Sequence, residues 1–108
     1  MANTFKLKTK ASVGVTTTPV YVVPSSTTTV IIGITASNIS GNNINVGIGI
    51  TRASADDVHL MKNVPIPQGS SFEFMAGNKI VLETTDTITA KSDVASSLDV
   101  ALTIMEIT

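Results

Sequence analysis

Residues 30–52 constrain the fold more than any other part of the chain, because apolar residues there alternate with small or polar ones in two successive segments. A period of two is the pattern of a half-buried β-strand, in which neighbouring side chains point to opposite faces. This alternation predicts two strands with inward-facing sets Val30, Ile32, Ile34 and Ala36, then Ile44, Val46, Ile48 and Ile50.

The two strands are predicted to form a hairpin. Directly opposed residues of an antiparallel pair share a face, so both apolar sets face the core only if the loop has an odd number of residues. A three-residue loop at 40–42 fits, with Gly41 or Asn42 in the left-handed conformation. A five-residue loop at 39–43 fits as well and leads to the same faces.

The outward face of this hairpin is predicted to be almost bare of side chains. The shorter loop places Gly33 opposite Gly49 and Thr35 opposite Gly47. Glycines at such positions are either tolerated on a solvated face or mark a flat patch that a partner approaches closely. The second interpretation makes this face a candidate subunit interface, formed by Gly33, Thr35, Gly47, Gly49, Thr51 and Arg52.

A basic strip precedes the hairpin, where Lys6, Lys8 and Lys10 alternate with Phe5 and Leu7. Lysines on one face of a strand commonly guard a sheet edge against unwanted pairing. They also suit contact with an acidic partner, so the three lysines join the candidate interface.

The rest of the chain contains further short strand-like segments separated by turn residues: 19–24, 58–63, 71–75, 79–83, 87–91 and 98–107. Segment 79–83 is predicted to pair with 87–91, and Phe72 and Phe74 are predicted core residues. About eight strands without helical periodicity indicate an all-β antiparallel sandwich, of which the jelly roll is one form. We expect one domain over 1–108, with residues 1–18 as an edge strand or an extended arm.

The composition points to association rather than to chemistry. Charged residues make up 14%, against about 25% in a typical domain, and the mean hydropathy is +0.35. A surface built from Ser, Thr, Asn and leftover aliphatic residues is poorly defended against association. We therefore favour a surface partly covered by other subunits over a merely threonine-rich β-protein.

Several classes of function are not expected. The absence of cysteine leaves no disulfide framework or zinc cluster, and a net charge of −1 gives no reason to expect nucleic acid. No apolar run is long enough for a membrane span, and the N-terminus lacks the apolar region of a signal peptide.

No catalytic, metal or cofactor signature is present either. His59 is the single histidine, the Asp56–Asp57 pair lacks the spaced ligands of a calcium loop, and the glycines form no phosphate-binding motif. The aromatic residues are too few and too core-like for a stacking platform: Phe5, Tyr21, Phe72 and Phe74. We expect no enzyme and no cofactor.

Two segments carry a family resemblance. Residues 20–34 read VYVVPSSTTTVIIGI, and residues 62–71 read KNVPIPQGSS, followed by KIVLE at 79–83 and by Asp86. Over about residues 8–107 the chain resembles small β-sandwich virion structural proteins of tailed bacteriophages, notably marine and cyanobacterial phages. The resemblance implies assembly onto a particle and supplies no catalytic residues.

The expected function is therefore a homo-oligomeric virion subunit, either a head decoration or cement protein or a neck component. Its expected partners are capsid, neck or tail proteins, with no nucleic acid and no membrane, and its location is the virion, assembled in the host cytoplasm. A tail, baseplate or fibre-attachment subunit is the alternative, followed by a receptor- or carbohydrate-binding module.

Overall fold

The computed structural model describes residues 2–53, 55–74 and 79–108, with Phe74 described by its backbone alone. In these residues the chain forms nine β-strands and no helix. The all-β prediction is confirmed. The strands are β1 (Asn3–Val13), β2 (Thr18–Val22), β3 (Thr28–Asn38), β4 (Ile44–Thr51), β5 (Val58–Ile66), β6 (Ser71–Phe74), β7 (Ile80–Leu82), β8 (Thr87–Ser92) and β9 (Leu98–Ile107).

The strands form two antiparallel sheets that face each other. Sheet A has the order β1-β9-β3, and both β6 and β7 pair with the far side of β3; sheet B has the order β2-β8-β4-β5. The pairing is nested, since β1 pairs with β9, β2 with β8, β3 with β6 and β7, and β4 with β5. This nesting is a long hairpin rolled into a sandwich, the jelly-roll arrangement.

The core lies between the sheets and is almost entirely aliphatic. The predicted inward set of β4 is buried without exception, and the alternate residues of β9 are buried too: Leu98, Val100, Leu102 and Ile104. Alternation over these strands therefore identified their buried faces. The largest fully buried side chains are Ile31, Ile34, Ile44, Ile48, Ile66, Leu82, Ile88, Leu98, Leu102 and Ile104.

The predicted hairpin between β3 and β4 is wrong. β3 belongs to sheet A and β4 to sheet B, and the five residues 39–43 pass from one sheet to the other. Neither Gly41 nor Asn42 adopts a left-handed conformation; the side chain of Asn38 holds the connection, accepting a hydrogen bond from the Ser40 amide at 2.9 Å and donating one to the Asn42 carbonyl at 2.7 Å. The predicted pairing of 79–83 with 87–91 fails likewise, because β7 lies in sheet A and β8 in sheet B.

A bulge also changes which residues of β3 point inward. Ile31 pairs with Ile104 and Gly33 with Thr103, so Ile32 is an extra residue without a partner. The inserted residue shifts the alternation by one. Ile31, predicted to face outward, is fully buried, while Val30 and Ile32 are only half-buried.

Candidate assembly surface

The first strand presents its apolar side to the outside. Lys6 lies opposite Ile104 and Lys8 opposite Leu102, and directly opposed residues share a face. The lysines therefore lie on the inner side of sheet A, and Phe5 and Leu7 lie on the outer side, 70% and 65% exposed. The interpretation of Phe5 as a core-like aromatic is wrong. The prediction of Phe72 as a core residue is also wrong, since it is 39% exposed, and the side chain of Phe74 lies outside what the structure describes.

An apolar row crosses the outer face of sheet A. Phe5 lies opposite Met105, Met105 opposite Val30, and Val30 opposite Val81. The middle pair is half-buried, while Phe5 and Val81 at the two ends are 70% and 62% exposed. We call these four residues the apolar row.

The next row on this face contains a glycine that the chain itself does not require. Leu7 lies opposite Thr103, and Thr103 opposite Gly33. The φ of Gly33 is not positive, and a Cβ atom built on it would meet nothing within 4 Å. Glycine within a strand costs about 0.5–1 kcal/mol relative to alanine. A partner that packs closely over this position would explain it.

The apolar row and the described residues of the next row contain no charged side chain, although Lys79 and Glu83 lie two residues either side of Val81 in the chain. The third row runs from Thr9 through Ala101 and Thr35 to Glu73 and so contains a carboxylate. Contiguous exposed apolar surface is uncommon on a monomer and marks interaction sites. Sequence reasoning found Gly33 and Thr35 on this surface but missed the apolar row, whose members come from four strands.

Beneath β1 lies a buried polar cluster that engages one of the candidate lysines. The Lys6 ammonium lies 2.8 Å from Oε1 of Glu106, whose side chain is only 7% exposed. The Tyr21 hydroxyl donates to Oε2 of Glu106 at 2.5 Å and therefore accepts from the Thr29 hydroxyl at 2.8 Å. Lys6 is thus held within the chain.

This cluster shifts two pKa values in opposite directions. The hydrogen bond from Lys6, followed by that from Tyr21, lowers the pKa of Glu106. Burial is the main cause that raises the pKa of Tyr21 to about 12. The Lys8 ammonium lies 6.0 Å from the centroid of the Tyr21 ring, and Lys10 is exposed.

The remaining glycines of the predicted interface lie on the opposite side of the molecule. Gly47 faces Lys91, Gly49 faces Thr89 and Thr51 faces Thr87, all on sheet B. The single flat patch expected to join these positions to Gly33 and Thr35 is therefore wrong, because β3 and β4 contribute to different outer faces.

Gly49 and Gly47 differ in what surrounds them. A Cβ atom on Gly49 would lie 3.2 Å from the Val58 carbonyl oxygen and 3.3 Å from the Thr89 hydroxyl. On Gly47 it would meet only the Met61 carbonyl oxygen, at an ordinary 3.5 Å. A side chain at 49 would therefore crowd its neighbours, whereas one at 47 would not.

A concavity of about 430 Å³ lies over these two glycines. Its lining includes Lys62, Lys91 and the exposed His59. No Phe, Tyr or Trp is among the described residues that line it. It therefore does not offer the stacking platform of a carbohydrate-binding module.

Arg52 is held by contacts within the chain. Its Nε atom lies 3.2 Å from both carboxylate oxygens of Asp86, a buried residue, and its Nη2 atom lies 3.4 Å from Glu83. The Asp86 carboxylate in turn accepts a hydrogen bond from the Glu83 backbone amide at 2.9 Å. These contacts tie the end of β4 to the β7–β8 turn.

The described residues offer no arrangement for a metal centre, since they contain no group of three or more His, Cys, Asp or Glu that could hold an ion. The buried side-chain nitrogen and oxygen atoms of this part of the chain all have hydrogen-bond partners. Within the same residues, no helix has the length and apolar character to cross a membrane.

Comparison with known proteins supports the fold. No protein-family profile matches the chain, and no curated protein matches it. Among solved structures, it is similar to a chain from the Bacillus endospore appendages, which form a family of disulfide-linked pili. The two align with a TM-score of 0.59 at 14% identity, over 99% of this chain and 87% of the other. At this identity the likeness shows a shared fold.

Proposed function

We propose that this protein is a non-enzymatic structural subunit of a tailed-phage virion, acting as a head decoration or cement protein or as a neck-associated subunit. The observation that carries the proposal is the apolar row on the outer face of sheet A, with Phe5 and Val81 largely exposed, which a soluble monomer has no reason to keep. Its partners are other virion subunits, and its location is the particle.

Two further observations support a role in assembly. The low content of charged residues agrees with a surface that neighbouring subunits cover. The structurally similar Bacillus chain belongs to a pilus, so a sandwich of this kind serves as a repeating structural unit elsewhere. These 108 residues contain no cysteine, so contacts that they make between subunits include no disulfide bond.

The mechanism is mechanical. Full burial of a Leu or Phe side chain stabilises by about 1.5–3 kcal/mol. Covering Phe5, Leu7 and Val81 against neighbouring subunits removes three largely exposed side chains from water at every copy. Because a particle contains many copies, these small contributions to stability sum, and the particle resists disassembly.

Leu7→Glu tests the role of this face, with Val15→Glu as its matched control. Both residues are exposed, at 65% and 55%, but Val15 lies outside the strands of sheet A. We expect Leu7→Glu to fold normally and to be depleted from purified particles, since a charge replaces buried apolar contact there. Val15→Glu should be incorporated like the unmodified chain.

Quantitative mass spectrometry of the purified particles is the measurement. A copy number in proportion to the major capsid protein favours a decoration protein, and a small fixed number favours the neck, tail or baseplate. Absence of the chain from particles, or normal incorporation of Leu7→Glu, would contradict the proposal.

A further inference from the structure

We propose that a second copy of this chain covers the outer face of sheet A, packed face to face about a two-fold axis that runs along the strands between β9 and β3. The inference rests on the proposed role of this face in assembly and specifies its occupant.

The order of residues in the apolar row suits such an axis. The row reads exposed, half-buried, half-buried, exposed from Phe5 to Val81, and the axis passes between its two middle residues. Rotation places β1 over the partner's β6 and β7, and it places β9 over the partner's β3. Phe5 then packs against the partner's Val81, and Met105 against the partner's Val30. Each exposed end covers the other, which is the self-complementarity that an isologous interface requires.

The second row explains the glycine that the monomer does not need. The same rotation places Thr103 over the partner's Gly33, because the two residues lie directly opposite each other on β9 and β3. Facing sheets pack about 10 Å apart, which leaves room for one layer of interdigitated side chains. A bare position opposite Thr103 allows close approach, and this happens twice in the dimer.

The two carboxylates that the strand registers place on this face are compatible with a second copy. The rotation sets Glu73 against the partner's Thr9, and Asp99 against the partner's Ser37. The same exchange applies in reverse, so neither carboxylate faces its own symmetry mate. Like charges placed opposite each other would disfavour the contact.

The size of the face matches the requirement of a stable dimer. Three of its strand positions are about ten residues long, and the fourth is formed by the four residues of β6 and the three of β7. At a rise of about 3.4 Å per residue and a strand spacing of about 4.8 Å, the described part of the face has a projected area of about 600 Å² per copy. This is not far below the roughly 800 Å² that each partner buries in a standard interface.

Because the chain contains no cysteine, introduced thiols test this geometry cleanly. We would prepare Phe5→Cys and Val81→Cys as separate proteins and treat each alone, and then an equimolar mixture, with a short bifunctional thiol reagent. Within one chain the two positions are three strand spacings apart, about 14 Å. In the proposed dimer Phe5 faces the partner's Val81, so the mixture yields a covalent dimer and each single variant does not.

Two results would overturn the inference. One is a mixture that stays monomeric, and the other is a single variant that cross-links as well as the mixture, which would place the axis elsewhere. As a second measurement, sedimentation equilibrium of the unmodified chain should give twice its mass of 11.2 kDa, and Leu7→Glu should shift it to monomer. A mass of one chain at every concentration would also refute the dimer.

The purified protein is sufficient for these measurements, so their outcome is separable from the proposed function. Cross-linked dimers of a chain that is absent from particles would leave the inference standing and refute the virion role. Particles that contain the chain without any cross-linking between copies would do the reverse.

Discussion

At the scale of single residues, Lys6 illustrates what the sequence reveals and what it hides. The alternation of lysines with Phe5 and Leu7 predicted a strand, and β1 is one. It did not reveal which side faces inward, because the acceptor, Glu106, lies one hundred residues farther along. A strand with lysines on its inner side is not expected from hydrophobicity alone. The buried carboxylate stabilises it.

Replacing Lys6 by alanine should destabilise the fold, whereas Lys10→Ala should not. A hydrogen bond to a charged group contributes about 1.5–3 kcal/mol. Lys6 is 41% exposed, so screening reduces the expected loss to about 1 kcal/mol. Lys10 is exposed, and its removal should change stability by less than about 0.5 kcal/mol. Urea unfolding measures both, and equal stabilities of the two variants would contradict the role of the ion pair.

The same cluster limits how a lysine interface can be tested. A carboxylate introduced at position 6 would lie beside the buried Glu106 and weaken the fold whatever partner is present. Lys10 is the position at which partner contact can be probed separately. The participation of the three lysines in an interface stays a prediction.

Tyr21 offers a direct measurement of the buried cluster, since it is the single tyrosine of a chain without tryptophan. Its pKa is raised to about 12, so folding favours the neutral phenol. This contribution to stability is complete below the unfolded value of about 10 and is lost as the pH rises from there to about 12. Phenolate absorbance should titrate near 12 in the folded chain and near 10 in urea. Equal midpoints would show that the phenol is not buried.

At the scale of elements, alternation identified strands and faces but not neighbours. The apolar sides of β3 and β4 both point into one core, and this is satisfied equally by a hairpin or by two facing sheets. The five-residue connection between them permits either arrangement. Choosing between them depends on distant partners such as β9, which local pattern does not contain. The bulge at Ile32 is hidden for the same reason, because only the pairing with β9 exposes the extra residue.

The glycines of β4 are expected to respond in opposite ways to alanine. Gly47→Ala should stabilise the isolated chain by about 0.5–1 kcal/mol, because alanine restricts the unfolded state and its Cβ has room. Gly49→Ala should destabilise it, since the new Cβ atom would press on the Val58 carbonyl and the Thr89 hydroxyl. Thermal unfolding of the two variants checks this, and a common direction of change would contradict it. A bulky residue at 49 is consequently unsuitable for probing an interface.

At the scale of the whole molecule, composition was more informative than any motif. The scarcity of charge predicted a surface that other subunits cover, and the structure shows exposed apolar residues on the outer face of sheet A. The position of that face could not be predicted, because its four strands are distant in sequence. Only Gly33 and Thr35 of the predicted interface lie on it; Gly47, Gly49 and Thr51 lie on the opposite side.

The pairing of β1 with β9 has a consequence for the order of events during synthesis. A ribosome makes β1 before the other eight strands and β9 after them, and these two strands are neighbours in the finished sheet. Such long-range pairing is slow to form, and the segments that are made first stay unpaired in the meantime. Phe5 and Leu7 cannot align with Met105 and Thr103 until β9 has emerged. A nascent chain therefore lacks the assembled apolar row, and association of subunits through that row is deferred until both sheets have formed.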